Sequence, residues 1–253
     1  MTAAQPSPPP HTAALVLIGN EILSGKIRDE NGTYLLRELR ALGVDMRRVE
    51  IVPDEEDLIV DALHRCRASA VHVFTSGGIG ATHDDVTVPA VARAFGLPVV
   101  HDATLVGMLA ARYGADLDAV RLRLAEVPEG AELLWGADHE LLFPAILAVN
   151  VLILPGVPSL FVEKFEALKE RYRAPPIALV SLFLSSDEPE IAALLTTATD
   201  RFKGIAIGSY PRFDHADHRV KVTVESRDSL LVDACAGFLR EQLGGAVLRE
   251  TRS

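Results

Sequence analysis

Ala70-Val71-His72-Val73-Phe74-Thr75-Ser76-Gly77-Gly78-Ile79-Gly80-Ala81-Thr82-His83-Asp84-Asp85 is the stretch that decides the fold. Residues 70–74 read as a buried strand, and the three glycines stop it abruptly. Beyond Asp85, the apolar residues Val88, Val91, Ala92 and Phe95 recur at helical spacing and Gly96 closes the run. A strand passing through a glycine loop into a helix is half of a βαβ unit, so the sheet is predicted to be mostly parallel.

Toward the amino terminus the same grammar repeats. Residues 13–18 form an unbroken apolar run stopped by Gly19, as for a strand covered on both faces. Asn31 is read as the cap of a helix bearing Leu35, Leu36, Leu39 and Leu42. A strand over 46–52 and a helix over 55–68 follow. Toward the carboxyl terminus, a short strand is expected over 97–100, a helix over 102–113, and a hairpin over 145–149 and 151–154 joined at Asn150. Pro155-Gly156-Val157-Pro158 ends that hairpin, and Ser159 is read as capping a helix to about 172. The fold class is therefore α/β, with helices on both faces of the sheet. After Arg173-Ala174-Pro175-Pro176, a plausible linker, the order becomes strand 177–184, helix 188–202, strands 205–208 and 220–225, helix 229–243 and strand 246–250. This βαββαβ order predicts a small α+β domain of split-βαβ type. The division is a disordered Pro-rich tail (1–12), a large domain (13–173) and a small domain (177–253).

Composition bounds the function. The net charge is −10, and from residue 177 onward nine basic side chains face eleven acidic ones. Counterion release on nucleic acid or an anionic membrane needs clustered Lys and Arg, so neither partner is expected. Cys66 and Cys235 are far apart and lack metal or redox spacing, which reads as buried thiols in a reducing compartment. With no basic leader ahead of a short apolar run, a cytoplasmic protein is expected.

Three loops, each following a strand, stand out: Gly19-Asn20-Glu21, the Thr75 to Asp85 loop, and Leu154 to Pro158. Loops after parallel strands share the sheet edge where open α/β sheets bind ligands. Gly77, Gly78 and Gly80 free the backbone to aim several N–H groups at one point, as a phosphate nest does. A Walker loop is absent, and a dinucleotide fingerprint would need glycine where His83 stands. Asp84 and Asp85 read either as helix caps or as metal ligands; two adjacent carboxylates beside phosphate call for a cation between them. Thr82 can donate to phosphate, and His83 is an exposed loop residue, a base or a ligand. Glu21 either caps a turn or positions ligand or water. The Asp214-His215-Ala216-Asp217-His218 tract reads as a solvated hairpin loop rather than a metal site.

Together, Ile18-Gly19-Asn20-Glu21-Ile22-Leu23-Ser24-Gly25, Asp29-Glu30-Asn31, Thr75 through Thr87, and Leu154-Pro155-Gly156-Val157-Pro158 resemble the molybdopterin-binding-like (MoaB/Mog) family. That family includes the first domain of competence/damage-inducible protein A and the corresponding domain of eukaryotic FAD synthase. Ser185-Ser186-Asp187-Glu188 and Gly208-Ser209-Tyr210-Pro211 resemble the FAD synthase version more closely. Ala81 stands where the family usually has proline.

The resemblance implies a three-layer α/β/α sandwich that binds a pterin phosphate or an adenine nucleotide, and a protein that forms homo-oligomers. It further implies a hydrolase that cleaves a nucleotide pyrophosphate of the ADP-ribose or FAD class with a divalent metal (Mg, Mn or Co). Thr75, Ser76, Gly77, Gly78, Gly80, Thr82, Asn31, Gly156 and Pro158 would contact phosphate or ligand. Asp84, Asp85 and Glu21 would be catalytic, with Asp84 and Asp85 on the metal. A molybdopterin-binding or adenylylating protein and a non-catalytic regulatory module are the alternatives.

Overall fold

The computed structural model describes residues 9–212 and 217–253, so residues 1–8 of the expected tail and the Asp214-His215-Ala216 part of the histidine tract lie outside the described residues. The chain divides into two compact units, Met1–Ala174 and Pro175–Ser253.

In the larger unit, β1 (Thr12–Ile18) is buried at every position. Alternation along the strand sends Ala14, Val16 and Ile18 into one apolar layer with Ile59, Leu63 and Val91. Ala13, Leu15 and Leu17 enter the other, with Leu35, Leu39, Phe161 and Phe165. At roughly 1.5–3 kcal/mol for each large apolar side chain fully buried, these two layers fix the strand between its helices. The chain continues through α1 (Asn20–Leu23), α2 (Asn31–Ala41), β2 (Asp45–Val52), α3 (Glu56–Ser69), β3 (His72–Ser76) and α4 (Thr87–Phe95). Next come β4 (Val99–His101), α5 (Ala103–Tyr113), α6 (Ala119–Leu122), β5 (Glu126–Pro128), β6 (Glu132–Leu134), β7 (Ala145–Ala148), β8 (Val151–Leu154) and α7 (Pro158–Leu168).

The sheet order is β2-β1-β3-β8-β7-β6. β2, β1, β3 and β8 run parallel, and β7 and β6 extend the sheet antiparallel. Since β1, β3 and β8 are neighbours with Leu17 opposite Ser76 and Ser76 opposite Leu154, their three following loops leave one edge side by side.

Several local expectations shift, among them that Asn20 and Glu21, read as part of the loop after the first strand, begin α1. The glycine-loop strand is displaced to His72–Ser76, so Thr75 and Ser76 end the strand instead of opening the loop. The strand after Gly96 is β4, which pairs with β5 in a separate two-stranded sheet. α4 starts at Thr87 with Val86 before it and no side-chain cap, so neither Asp84 nor Asp85 caps it. Pro158, not Ser159, sets the start of α7: it occupies the first turn, where its missing N–H costs nothing.

The smaller unit is β9 (Ala178–Leu184), α8 (Glu188–Arg201), β10 (Ala206–Pro211), β11 (Val220–Ser226), α9 (Ser229–Leu243) and β12 (Val247–Arg252). Its sheet, ordered β10-β11-β9-β12, is antiparallel throughout, as the split-βαβ order requires. Leu182, Val222, Val224, Ile191, Cys235 and Leu239 fill its core. His218 departs from the solvated-loop expectation: it is buried, edge-on to the Phe183 ring at 4.9 Å, with Nδ1 2.9 Å from Asp217.

Among the described residues, no helix is long and apolar enough to cross a membrane.

Candidate functional site

Close backbone approach at the shared edge is possible only because glycines sit there. A Cβ on Gly77 would lie 2.2 Å from the Ile18 carbonyl oxygen, and its φ of 102° is in the left-handed half of the map. A Cβ on Gly156 would lie 3.2 Å from Gly77 Cα. The loops after β1, β3 and β8 therefore touch through backbone, and Gly77 N–H donates to Leu154 O at 3.2 Å. Thr87 closes the glycine loop from its far side, its N–H donating to Gly78 O and its hydroxyl to Gly77 O. Among the described residues, the N–H groups of Gly78, Ile79 and Gly80 donate to no protein acceptor. Three consecutive unsatisfied amides on a partly covered loop are donors awaiting an anion.

Asp85 lies over that loop. Its carboxylate occupies the place a Cβ on Gly80 would need, 2.6 Å from Oδ2. Oδ2 accepts from Thr82 N–H at 2.8 Å and from the Thr82 hydroxyl, which leaves Oδ1 outside these bonds. Asp84 is more exposed, and its carboxyl is held below the usual carboxylate range. The Thr82 side chain beside it contributes most, followed by its own backbone N–H and the charges of His83 and Arg123. Arg123 ties the loop down by donating to Thr82 O at 2.6 Å and Asp85 O at 2.9 Å.

Asn31 does not cap α2. It is the first helical residue, 5% exposed, and its Nδ2 donates to Ser76 Oγ and to Gly156 O, both at 2.9 Å. One amide thus joins the helix to two of the three loops. The Ser76 hydroxyl donates on to Pro155 O, and the Thr75 side chain is wholly buried, so both hydroxyls lie inside the protein rather than in the cleft. The Glu21 carboxylate rests against Gly19, within 2.4 Å of where a Cβ would sit. Replacing Asn31 by alanine is expected to cost about 1–3 kcal/mol, because Gly156 O and Ser76 Oγ lose a buried partner. Urea unfolding followed through Trp135, the sole tryptophan and a residue of the larger unit, measures this.

Beside the loop opens a cleft lined by Gly78, Gly80, Asp85, Arg123, Phe143 and Lys164, over an apolar floor of Val88, Ile146 and Ile153. Lys164 is 8% exposed, and its Nζ donates to Phe143 O and, at 2.9 Å, to Pro144 O. Burial pushes its amine down to about 8, against a smaller upward pull from Glu163. Sequence reasoning passed over both cations. The signal for Lys164 was present, since it sits among Phe161, Phe165 and Leu168 on the apolar stripe of α7. Arg123 carries no such signal.

Among the described residues, no group of three or more His, Cys, Asp or Glu is placed to hold a metal. The donors on hand, Asp85 Oδ1 and the exposed Asp84 carboxylate, fit a Mg²⁺-like cation completed by ligand phosphate and water, the usual arrangement for that ion. They do not form a closed protein cage.

The family described as a probable molybdopterin binding domain matches residues 14–174. The chain belongs to this family. The molybdopterin-binding-type domain is followed by a match to the FAD synthase middle domain over residues 176–251. The chain is similar to a probable FAD synthase of Caenorhabditis elegans, 30% identical over 94% of this chain and 51% of that protein, so it spans about half the length of that relative. A protein of Archaeoglobus fulgidus is 31% identical over 87% of this chain and 97% of its own length. Among solved structures, the protein CinA from Thermoplasma acidophilum matches 64% of this chain and 98% of its own, with 29% identity and a TM-score of 0.59. These matches agree with the α/β fold with a mostly parallel sheet and a small second domain of antiparallel strands.

Proposed function

We propose that the molybdopterin-binding-type domain binds the phosphate of a nucleotide or pterin at the glycine loop and hydrolyses a nucleotide pyrophosphate with a divalent cation. The observation that carries this is the trio of unpaired amides at Gly78, Ile79 and Gly80, with the Asp85 carboxylate packed against Gly80 at the end of the trio. A carboxylate and a phosphate repel at that range, and a cation between them turns the repulsion into a clamp. When bound, that cation supplies charge for the phosphate oxygens and lowers the pKa of water.

The chain's own groups do the rest. The amides hold the equatorial oxygens of the attacked phosphorus, where charge accumulates. Arg123 keeps the loop and its two aspartates in place. Glu21, in the first turn of α1 after β1, is the carboxylate we assign to orient the attacking water. Water oxygen bonds to one phosphorus, the bridging oxygen leaves with the other phosphate, and the products from ADP-ribose or FAD include AMP. The family description favours a second reading, in which a pterin phosphate is bound or adenylylated without hydrolysis; self-association is part of either.

Incubation of the pure protein with ADP-ribose and FAD, with and without Mg²⁺, Mn²⁺ or Co²⁺, is expected to release AMP only with metal. Absence of AMP under every condition overturns the hydrolase, and pterin phosphate binding without turnover supports the second reading.

A further inference from the structure

Lys164 and Arg123 are the two cations of the cleft, and both hydrogen-bond only to main-chain carbonyl oxygens among the described residues. Neither is within ion-pair reach of the carboxylates that line the same space, Asp85 and Glu126. For Arg123, which is partly exposed, water completes the solvation. Lys164 is over nine-tenths buried, and an ammonium has three donors. Two are spent on Phe143 O and Pro144 O, and the Phe143 ring lies 5.6 Å from Nζ. The third has no acceptor among the described residues.

A buried charge without a counter-charge is costly, and a helix keeps one on its apolar stripe only where something repays the cost. Stability alone would favour methionine or leucine here, between Phe161 and Phe165. The repayment is available from the cleft, which Lys164 lines together with the glycine loop.

Resting on the reading of that loop as a phosphate site, we propose that Lys164 forms a second anion subsite, so that the cleft takes ligands with two linked anionic groups: one on the Gly78–Gly80 amides and the other on Nζ. A diphosphate is the simplest such ligand. The apolar floor of Val88, Ile146 and Ile153 offers no donor, which leaves Lys164 to receive the second charged group, and a single orthophosphate engages only the amides. Burial, and to a smaller degree Glu163 on its own helix, set the titration of Lys164, while Asp85, Glu126 and Arg123 line the same cleft. Its amine, lowered to about 8, is charged at neutral pH and loses that charge as pH rises from 7 to 9. Diphosphate itself becomes more anionic over the same interval, so a loss of affinity with rising pH points to the protein.

Calorimetric titration of the full chain with inorganic pyrophosphate and with orthophosphate separates the possibilities. Pyrophosphate is expected to bind at least tenfold more tightly than orthophosphate at pH 7, and its advantage to shrink toward pH 9. In Lys164→Met, pyrophosphate binding is expected to weaken at least tenfold while orthophosphate binding stays within twofold, and the pH dependence disappears. Equal pyrophosphate binding in the two proteins, or a pH-independent advantage in the unaltered chain, overturns the subsite and leaves the glycine-loop reading standing. Failure of the unaltered chain to bind either anion, both with and without Mg²⁺, overturns the glycine-loop reading itself. The pH series on the unaltered chain separates these outcomes even if the variant misfolds.

Discussion

Substituting valine for Gly77 is expected to destabilise the larger unit by about 4 kcal/mol, enough to leave most of it unfolded under mild denaturant. Two costs add at one residue. The backbone there has φ 102°, which a β-branched side chain reaches only under strain. The new Cβ would meet the Ile18 carbonyl oxygen at 2.2 Å, and that atom belongs to the backbone at the end of β1, which is held on both sides by β2 and β3. Neither partner can swing aside as a flexible side chain would. Gly96→Ala provides the contrast: φ is also positive, at 66°, but nothing lies within 4 Å of the added Cβ, so only a backbone cost of about 1 kcal/mol is expected. Urea titration monitored by Trp135 fluorescence reports on the unit that contains both glycines. Equal midpoints for the two variants would show that the loops after β1 and β3 are not in contact.

The contrast between these glycines illustrates what the sequence made legible. β1, β3 and β8 could be read as strands because burial on both faces leaves an unbroken apolar run, and glycine or proline ends each run. From parallel strands the shared loop edge follows by topology. In the smaller unit, turn residues and alternating patterns were enough to order all six elements. Long-range pairings could not be read this way. The β4–β5 pair joins residues 25 to 29 positions apart, with α5 and α6 between them, and no local pattern encodes that partnership.

Asn31 shows the same limit within the site. An asparagine before a helical stripe looks like a cap, yet its amide reaches Ser76 and Gly156, 45 and 125 residues away. Both uses call for the same small, polar side chain. Lys164 is the opposite case, a residue whose position on an apolar stripe was readable but whose partners, the carbonyls before β7, were not. His218 went astray because a tract of Asp and His reads as solvated, whereas the ring packs on Phe183 of the neighbouring strand.

Asp84→Asn with Asp85→Asn is expected to lower AMP release about a hundredfold or more under saturating metal, with the fold retained. Asparagine is the informative replacement because its side-chain oxygen can still accept from Thr82 N–H and the Thr82 hydroxyl, as Asp85 Oδ2 does. Alanine would release the loop, and a loss of rate would then not distinguish charge from geometry. With the loop preserved, removing two negative charges also removes repulsion toward phosphate, so orthophosphate binding without metal should hold or tighten while the metal requirement rises. That opposite movement of anion binding and metal dependence is the signature of carboxylates acting through a cation. The acid limb of the rate profile supplies an independent reading. The Thr82 side chain, the Asp84 backbone N–H and the charges of His83 and Arg123 favour the Asp84 anion, so its titration is shifted to the acid side of the usual carboxylate value. Protonation of Asp84 is therefore expected to lower the rate at a more acid pH than protonation of an ordinary aspartate would, which a rate profile over the acid range measures. If the double variant releases AMP within twofold of the unaltered chain, the two aspartates are loop architecture and the metal is held elsewhere.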